Sequence, residues 1–245
     1  MTPSAAVMAE LAPHGVLRAA INYGNTVLAQ RGADGQPVGV SVALAKALAE
    51  RLGVPVELVT YDAAGKVFAA LEQQAWDLAF LAIEPVRAAQ IAFSTPYVII
   101  EGTYLLREDD PAQQVADLDQ AGRRIAVGQG AAYDLYLSRT LTQAELVRSS
   151  TSALAIEDFV AQRLDAAAGV RQPLEAYAAA HPGYRVLADS FTEIRQAMAV
   201  PKGRDAAAAF VQTFLDEHLR NGFVARELAA SGQGEVRIGT PAANV

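Results

Sequence analysis

The run Leu78-Ala79-Phe80-Leu81-Ala82-Ile83 leads without a break into Glu84-Pro85-Val86-Arg87. Its first residues, 78–81, read as a strand buried on both faces, the kind that a mainly parallel sheet needs. Pro85 falls where a helix starts, because its missing N–H would have no helical partner there anyway. Arg87 then lies in the first turn, beside unpartnered backbone N–H groups and the positive end of the helix dipole. A planar guanidinium with amides next to it can grip both oxygens of a carboxylate. Taken alone, these residues read more simply as an arginine on a solvated helix face.

Around this segment strands and helices alternate. Residues 16–21 read as a strand, and 42–52 as a helix stopped by Gly53, a usual C-cap residue. Residues 56–59 follow as a strand, and 64–73 as a helix with Val67, Phe68 and Leu71 on one face. This β-α-β-α-β order predicts an α/β lobe. A second unit opens after Leu106 with Glu108-Asp109-Asp110-Pro111, read as a solvated loop. Strands at 125–127 and 166–168, a turn at Gly128-Gln129-Gly130, and helices at 132–141, 153–162 and 174–180 complete it. After 197–200 come two helices, 205–219 and 224–230, separated by Asn221-Gly222.

Composition narrows the function. The chain of 245 residues is 52% hydrophobic and 19% charged, which suits a folded globular protein. Its net charge of −7 leaves no basic stripe for nucleic acid. Cysteine is absent, so disulfides, thiolate nucleophiles and thiolate metal sites are excluded; this fits an oxidising compartment without requiring one. Residues 1–10 lack the basic n-region and apolar core of a secretory signal. His14, His181 and His218 are far apart and each reads as a surface residue. Trp76 reads as packing, and no catalytic or phosphate-binding motif opens a helix. Gly128-Gln129-Gly130 lacks the third glycine of a dinucleotide loop.

A set of segments, in order, resembles the family-3 extracellular solute-binding proteins, the polar-amino-acid receptors of ABC importers. Gly15 to Ile21 looks like their first strand. Gly35-Gln36-Pro37-Val38-Gly39-Val40 and Leu44 to Ala49 look like the glycine turn and first helix. Trp76-Asp77-Leu78, then Arg87 with Phe93-Ser94-Thr95-Pro96-Tyr97, match the aspartate, the arginine and the segment after it. Arg163-Leu164-Asp165-Ala166, Val200-Pro201-Lys202-Gly203 and Asn221-Gly222-Phe223 match the second lobe and the return. The resemblance implies a periplasmic-binding-protein-like fold: two α/β lobes joined by two crossover strands, with a ligand cleft between them. It places lobe one at 1–101 plus 196–245, lobe two at 102–195, and a hinge near 100–103 and 193–196.

The departures from the family pattern bear on the ligand. The aspartate that pairs with a ligand α-ammonium falls here on Val170, followed by Arg171. A buried ammonium without a counter-charge costs several kcal/mol, so common α-amino acids are expected to bind poorly. Glu84 stands where threonine is usual; it either supplies the missing charge or favours the helix start and pairs with Arg87. Glu101, at the crossover, is a further carboxylate near the cleft. The aromatic wall of the family falls on Asn25 and Ala64, and Ala131 replaces a common threonine. The ligand-binding candidates are Asn22, Tyr23, Asn25, Ala82, Glu84, Arg87, Gly130, Ala131, Tyr133, Val170 and Arg171.

The expected function is non-catalytic: a small carboxylate-bearing or amino-acid-like solute is bound and delivered to the membrane permease of an ABC importer. One alternative is an enzyme on the same fold, similar to cyclohexadienyl dehydratases, with Glu84 or Glu101 as general acid. A cytosolic small-molecule sensor is another. No cofactor, metal or nucleic acid is implied, and the protein is expected to be a monomer. The resemblance implies a periplasmic location; the N-terminal residues keep a cytoplasmic one open.

Overall fold

In the computed structural model, which describes residues 2–243, the elements run in chain order. They begin with α1 (Ala5–Leu11), β1 (Leu17–Asn22), β2 (Gln30–Arg31), β3 (Pro37–Val38), α2 (Val40–Leu52) and β4 (Val56–Tyr61). Next come α3 (Ala64–Ala69), β5 (Leu78–Ala82), α4 (Pro85–Ala88), β6 (Ile91–Arg107), β7 (Arg124–Gly128), α5 (Ala132–Thr140) and β8 (Glu145–Ser149). Then follow α6 (Ser152–Ala161), β9 (Ala166–Val170), α7 (Arg171–Ala180), β10 (Tyr184–Val186), β11 (Thr192–Pro201), α8 (Asp205–Arg220), α9 (Phe223–Ala230) and β12 (Arg237–Ile238). The termini of the expected lobe spans, at 1 and 244–245, lie outside the described residues.

The chain divides into two units. The first takes the residues up to Tyr61, Lys66–Ile99 and those from Arg195 onward; the second takes Asp62–Gly65 and Ile100–Ile194. β6 and β11 each run from one unit to the other.

In the first unit the strand order is β4-β1-β5-β11, with β1 parallel to both neighbours and β11 antiparallel to β5. Every residue of β5 is buried, as a strand covered on both faces requires. α2 buries Val40, Leu44, Leu48 and Leu52 at helical spacing and ends at Gly53, whose φ of 70° continues into the left-handed cap. The expected helix 64–73 stops at Ala69; turns follow, and Gln74 takes a φ of 51°, which no helix continues through. Trp76 is buried, its indole donating to the Val67 carbonyl at 2.9 Å.

Polar residues tie this unit together. Arg18 donates to both carboxylate oxygens of Asp77 at 2.8 and 2.9 Å, and Arg204 adds a third bond at 2.9 Å. Arg204 also donates to the Glu10 carbonyl, and the Glu10 carboxylate accepts the Ala207 N–H in the first turn of α8. His14 and His181 are exposed as expected, but His218 is buried, which corrects the surface reading. It lies on the face of α8 that carries Val211, Phe214 and Leu215, and its ring contacts Phe214 and Phe223.

In the second unit the order is β6-β9-β7-β8, with β10 on the other side of β6. β7 is parallel to β8 and β9, and β9 is antiparallel to β6. Leu105, Ala126, Ala155, Phe159, Leu164, Ala167 and Leu174 form its core. α7 starts at Arg171 rather than 174, because Pro173 lies in the first turn, where its missing N–H costs nothing. The loop 108–111 is not wholly solvated: Asp110 pairs with Arg123 at 2.5 Å, and its carboxylate is held below the usual range despite partial burial.

Candidate functional site

In each unit the candidates stand at or just beyond the C-terminal ends of adjacent parallel strands, where loops and helix starts converge. In the first unit β1 ends at Asn22 and β5 at Ala82. Asn22 and Asn25 are buried, and their side-chain carbonyls accept the Gly24 N–H at 2.8 Å and the Val27 N–H at 3.2 Å. Both therefore shape the loop after β1. The Tyr23 ring lies under the Arg31 guanidinium, 4.3 Å from its centre.

Glu84 is the N-cap of α4 and Pro85 occupies N1, as the sequence predicts. The Glu84 carbonyl accepts the N–H groups of Arg87 at 3.0 Å and Ala88 at 2.9 Å. Arg87 is only 1% exposed, which overturns the solvated-face reading. Its Nη1 donates to the Ala82 carbonyl at 3.0 Å, fixing the guanidinium against the end of β5. Burial pulls its pKa down to about 10 while the Glu84 charge pushes the other way, so Arg87 stays a cation at neutral pH.

In the second unit the loop after β7 is braced from behind. The Tyr133 hydroxyl accepts the Gly128 N–H at 3.0 Å and shares a 2.7 Å bond with Ser152; burial raises its pKa. Tyr133 thus acts as a strut within this unit. Gly130 has a φ of 73° and donates its N–H to Asp134 at 2.8 Å. A Cβ on Gly130 would lie 2.8 Å from the Cα of Gly65, so two glycines let these backbones touch. Ala131 is the N-cap of α5 and offers no side-chain cap.

Val170 is the N-cap of α7, again without a side-chain bond, and Arg171 is its first residue. The Arg171 guanidinium donates to Glu101 at 2.5 Å and to the carbonyls of Leu187, Ala188 and Asp189 at 3.0–3.1 Å. Arg171 therefore stands paired with Glu101 and tied to the segment between β10 and β11, not as an open charge beside Val170. Sequence reasoning missed this role, and it missed the Thr103 hydroxyl, which donates to Leu187 and Asp189. Carbonyl partners leave no sequence signal; they are met only once the chain has folded.

Among the described residues no group of three or more His, Cys, Asp or Glu side chains is arranged to hold a metal ion. Among them, too, no helix is long and apolar enough to cross a membrane.

Residues 17–229 match the family model described as bacterial extracellular solute-binding proteins, family 3. No curated protein matches the chain. Among solved structures, a mutant of ArgBP from T. maritima superposes with a TM-score of 0.80 at 22% identity, covering 92% of this chain and 99% of that one. An amino acid ABC transporter substrate-binding protein from Streptococcus pneumoniae, bound to L-arginine, gives 0.78 at 22% identity, covering 96% and 100%. The ancestral amino acid-binding protein AncCDT-1, a precursor of cyclohexadienyl dehydratase, gives 0.76 at 25% identity, covering 91% and 98%. The expected periplasmic-binding-protein-like α/β fold is thereby shown.

Proposed function

Because the chain belongs to the bacterial extracellular solute-binding proteins, family 3, we propose that it holds a small carboxylate-bearing, amino-acid-like solute for delivery to an ABC importer permease. The observation that carries this reading is Arg87: a cation that is 1% exposed, fixed on the Ala82 carbonyl at the end of a parallel strand. A desolvated guanidinium in such a place favours a carboxylate partner. The relatives named as amino acid-binding proteins support an amino-acid-like solute. The candidate contacts are Glu84 and the loop after β1 in the first unit, and Gly130, Ala131 and the start of α7 in the second. The two connecting strands bend near 100–103 and 193–196 as the lobes close. The protein works as a monomer, in the periplasm.

Native mass spectrometry of the co-purifying solute, then calorimetry, tests this. Arg87→Ala should weaken binding by about 2–5 kcal/mol, the usual cost of truncating one partner of a buried charge pair. Arg87→Lys should recover only part, since an ammonium lacks the planar fork. Wild-type affinity in Arg87→Ala would end the assignment.

The likeness to AncCDT-1 favours one second reading, an enzyme on this fold. Glu101 is already bonded to Arg171, so a general acid would fall to Glu84. Turnover of prephenate or arogenate, abolished in Glu84→Gln, would establish it.

A further inference from the structure

β4 is the outer strand of its sheet and pairs only with β1. The register and the flanking bonds, Leu17 N–H to Pro55 O and Tyr23 N–H to Tyr61 O, turn the odd-numbered residues of β4 toward β1. Along a strand the main-chain polar groups alternate sides, so Val56, Leu58 and Thr60 point theirs outward. Among the described residues none of these groups has a main-chain partner. Native edges are usually blunted by Lys, Pro, a bulge or a cover. The β4 sequence Val-Glu-Leu-Val-Thr-Tyr contains neither Lys nor Pro; its one charge is the exposed Glu57, whose main-chain groups face β1, and its register with β1 is unbroken over all six residues.

These same three residues line a groove of about 420 Å³, whose other walls are Arg31, Gly35, Gln36 and Pro37 from the β2–β3 hairpin and Tyr23. That volume falls within the usual range of ligand clefts, ~300–1,000 Å³. Val56 and Leu58 are half-buried and offer apolar contact, while Thr60 and Arg31 are exposed. Arg31 rests on the Tyr23 ring, and no acid lines the groove or pairs with it among the described residues. An unpaired strand edge calls for a second strand, and an unmatched cation at its side calls for an acid.

We infer that the β4 edge and the β2–β3 hairpin form a docking groove for an extended acidic peptide segment, added beside β4 with a carboxylate at Arg31. The ladder of main-chain bonds supplies affinity and Arg31 supplies the preference for acid. This inference stands apart from solute binding, because its test needs no bound solute.

The test is an NMR titration of the full chain with capped peptides of alternating Thr and Val, carrying a central Asp, Asn or Lys. The Asp peptide should shift the Val56, Leu58 and Thr60 amides and slow their exchange. It should bind about five-fold more tightly than the Lys peptide, as expected for one exposed charge pair. Arg31→Glu should invert that order. N-methylation of the peptide's ladder amides should abolish binding, and Leu58→Pro, tolerated at an edge, should weaken every peptide. Unmoved amides with all peptides, or equal binding of the N-methylated peptide, would overturn the proposal. So would a concentration-dependent dimer, seen by sedimentation, that protects the same amides.

Discussion

Arg171 donates through Nε to the Glu101 carboxylate at 2.5 Å, joining the first residue of α7 to β6 inside the second unit. The rest of the guanidinium holds three successive carbonyls, Leu187, Ala188 and Asp189. The two kinds of bond differ in worth. The Glu101 side chain is half-exposed, so the ion pair is screened and contributes little. Each carbonyl bond is worth about 0.5–1.5 kcal/mol. Arg171→Ala should therefore lower stability by about 2 kcal/mol, and Glu101→Gln by less than about 0.5 kcal/mol. Urea denaturation measures both. Equal losses would mean that the carbonyl contacts carry nothing.

Asp77 is fully buried, while Arg18 and Arg204 remain about a fifth exposed. Asp77 also raises the pKa of Arg18, chiefly through their hydrogen bonds. Asp77→Asn keeps the shape but leaves two guanidinium groups without their counter-charge. Partial exposure lets water soften the damage, so the expected cost is about 2–3 kcal/mol, below the range for a wholly buried pair. That corresponds to a fall of about 5–10 °C in Tm. The loss should persist at high salt, because buried pairs are poorly screened. A loss that vanished in high salt would assign Asp77 to ordinary surface electrostatics.

What a residue's sequence context reveals depends on where its partners lie. The interior of β5 and the end of α2 were legible because both depend on local pattern: an apolar run, a helical repeat, a glycine at the cap. His218 was misread although its signal was present. Val211, Phe214, Leu215 and His218 share one helix face, and the periodicity that buries the first three buries the fourth. β8 was missed for a different reason. Its Glu-Leu-Val-Arg-Ser sequence alternates, has only one fully buried residue, and carries no continuous apolar run. Arg87 was legible as a helix-start arginine, but its burial was not, since that depends on the tertiary environment around the end of β5. The duties of Arg171 lay beyond any local reading, because Glu101 and the carbonyls of 187–189 are distant in sequence; Tyr133 reaches the nearby Gly128, but its Ser152 partner comes from another segment.

His218 should make the protein lose stability in mild acid. Burial lowers its pKa from the ordinary value of 6.5 and Arg51 adds to this, against the opposing pull of the Phe214 carbonyl, 2.7 Å from Nδ1, and of Glu217. The native state thus favours the neutral ring, while the unfolded chain takes up a proton at a higher pH. The stabilisation is fully present above about 6.5 and fades as pH falls through the lower native value. Asp110, Asp119 and Glu217 have depressed pKa values and titrate below the ordinary carboxylate range. Their losses therefore come at lower pH. Unfolding free energies measured from pH 7 to 5 should decline in the wild type and flatten in His218→Gln. Parallel curves would assign the slope to other groups.

Val170→Asp tests the ligand reading on a variant that should remain folded. Val170 caps α7 with extended backbone angles but no side-chain bond, and aspartate is among the best residues for that position. The usual acceptor contact to the third helical N–H is closed, because Pro173 stands there. The Gln172 N–H remains, so a gain of about 0.5 kcal/mol in stability is expected rather than a loss. Arg171 is already matched by Glu101 and does not need the new acid. The added carboxylate is then available to an α-ammonium. In a thermal-shift screen the wild type should respond to small carboxylates more than to common amino acids, and Val170→Asp should reverse that order, because a ligand selective for the folded state raises Tm. Micromolar binding of a plain α-amino acid by the wild type, unimproved in Val170→Asp, would show that the ammonium is held elsewhere, and Glu84→Gln would then be the variant to lose it.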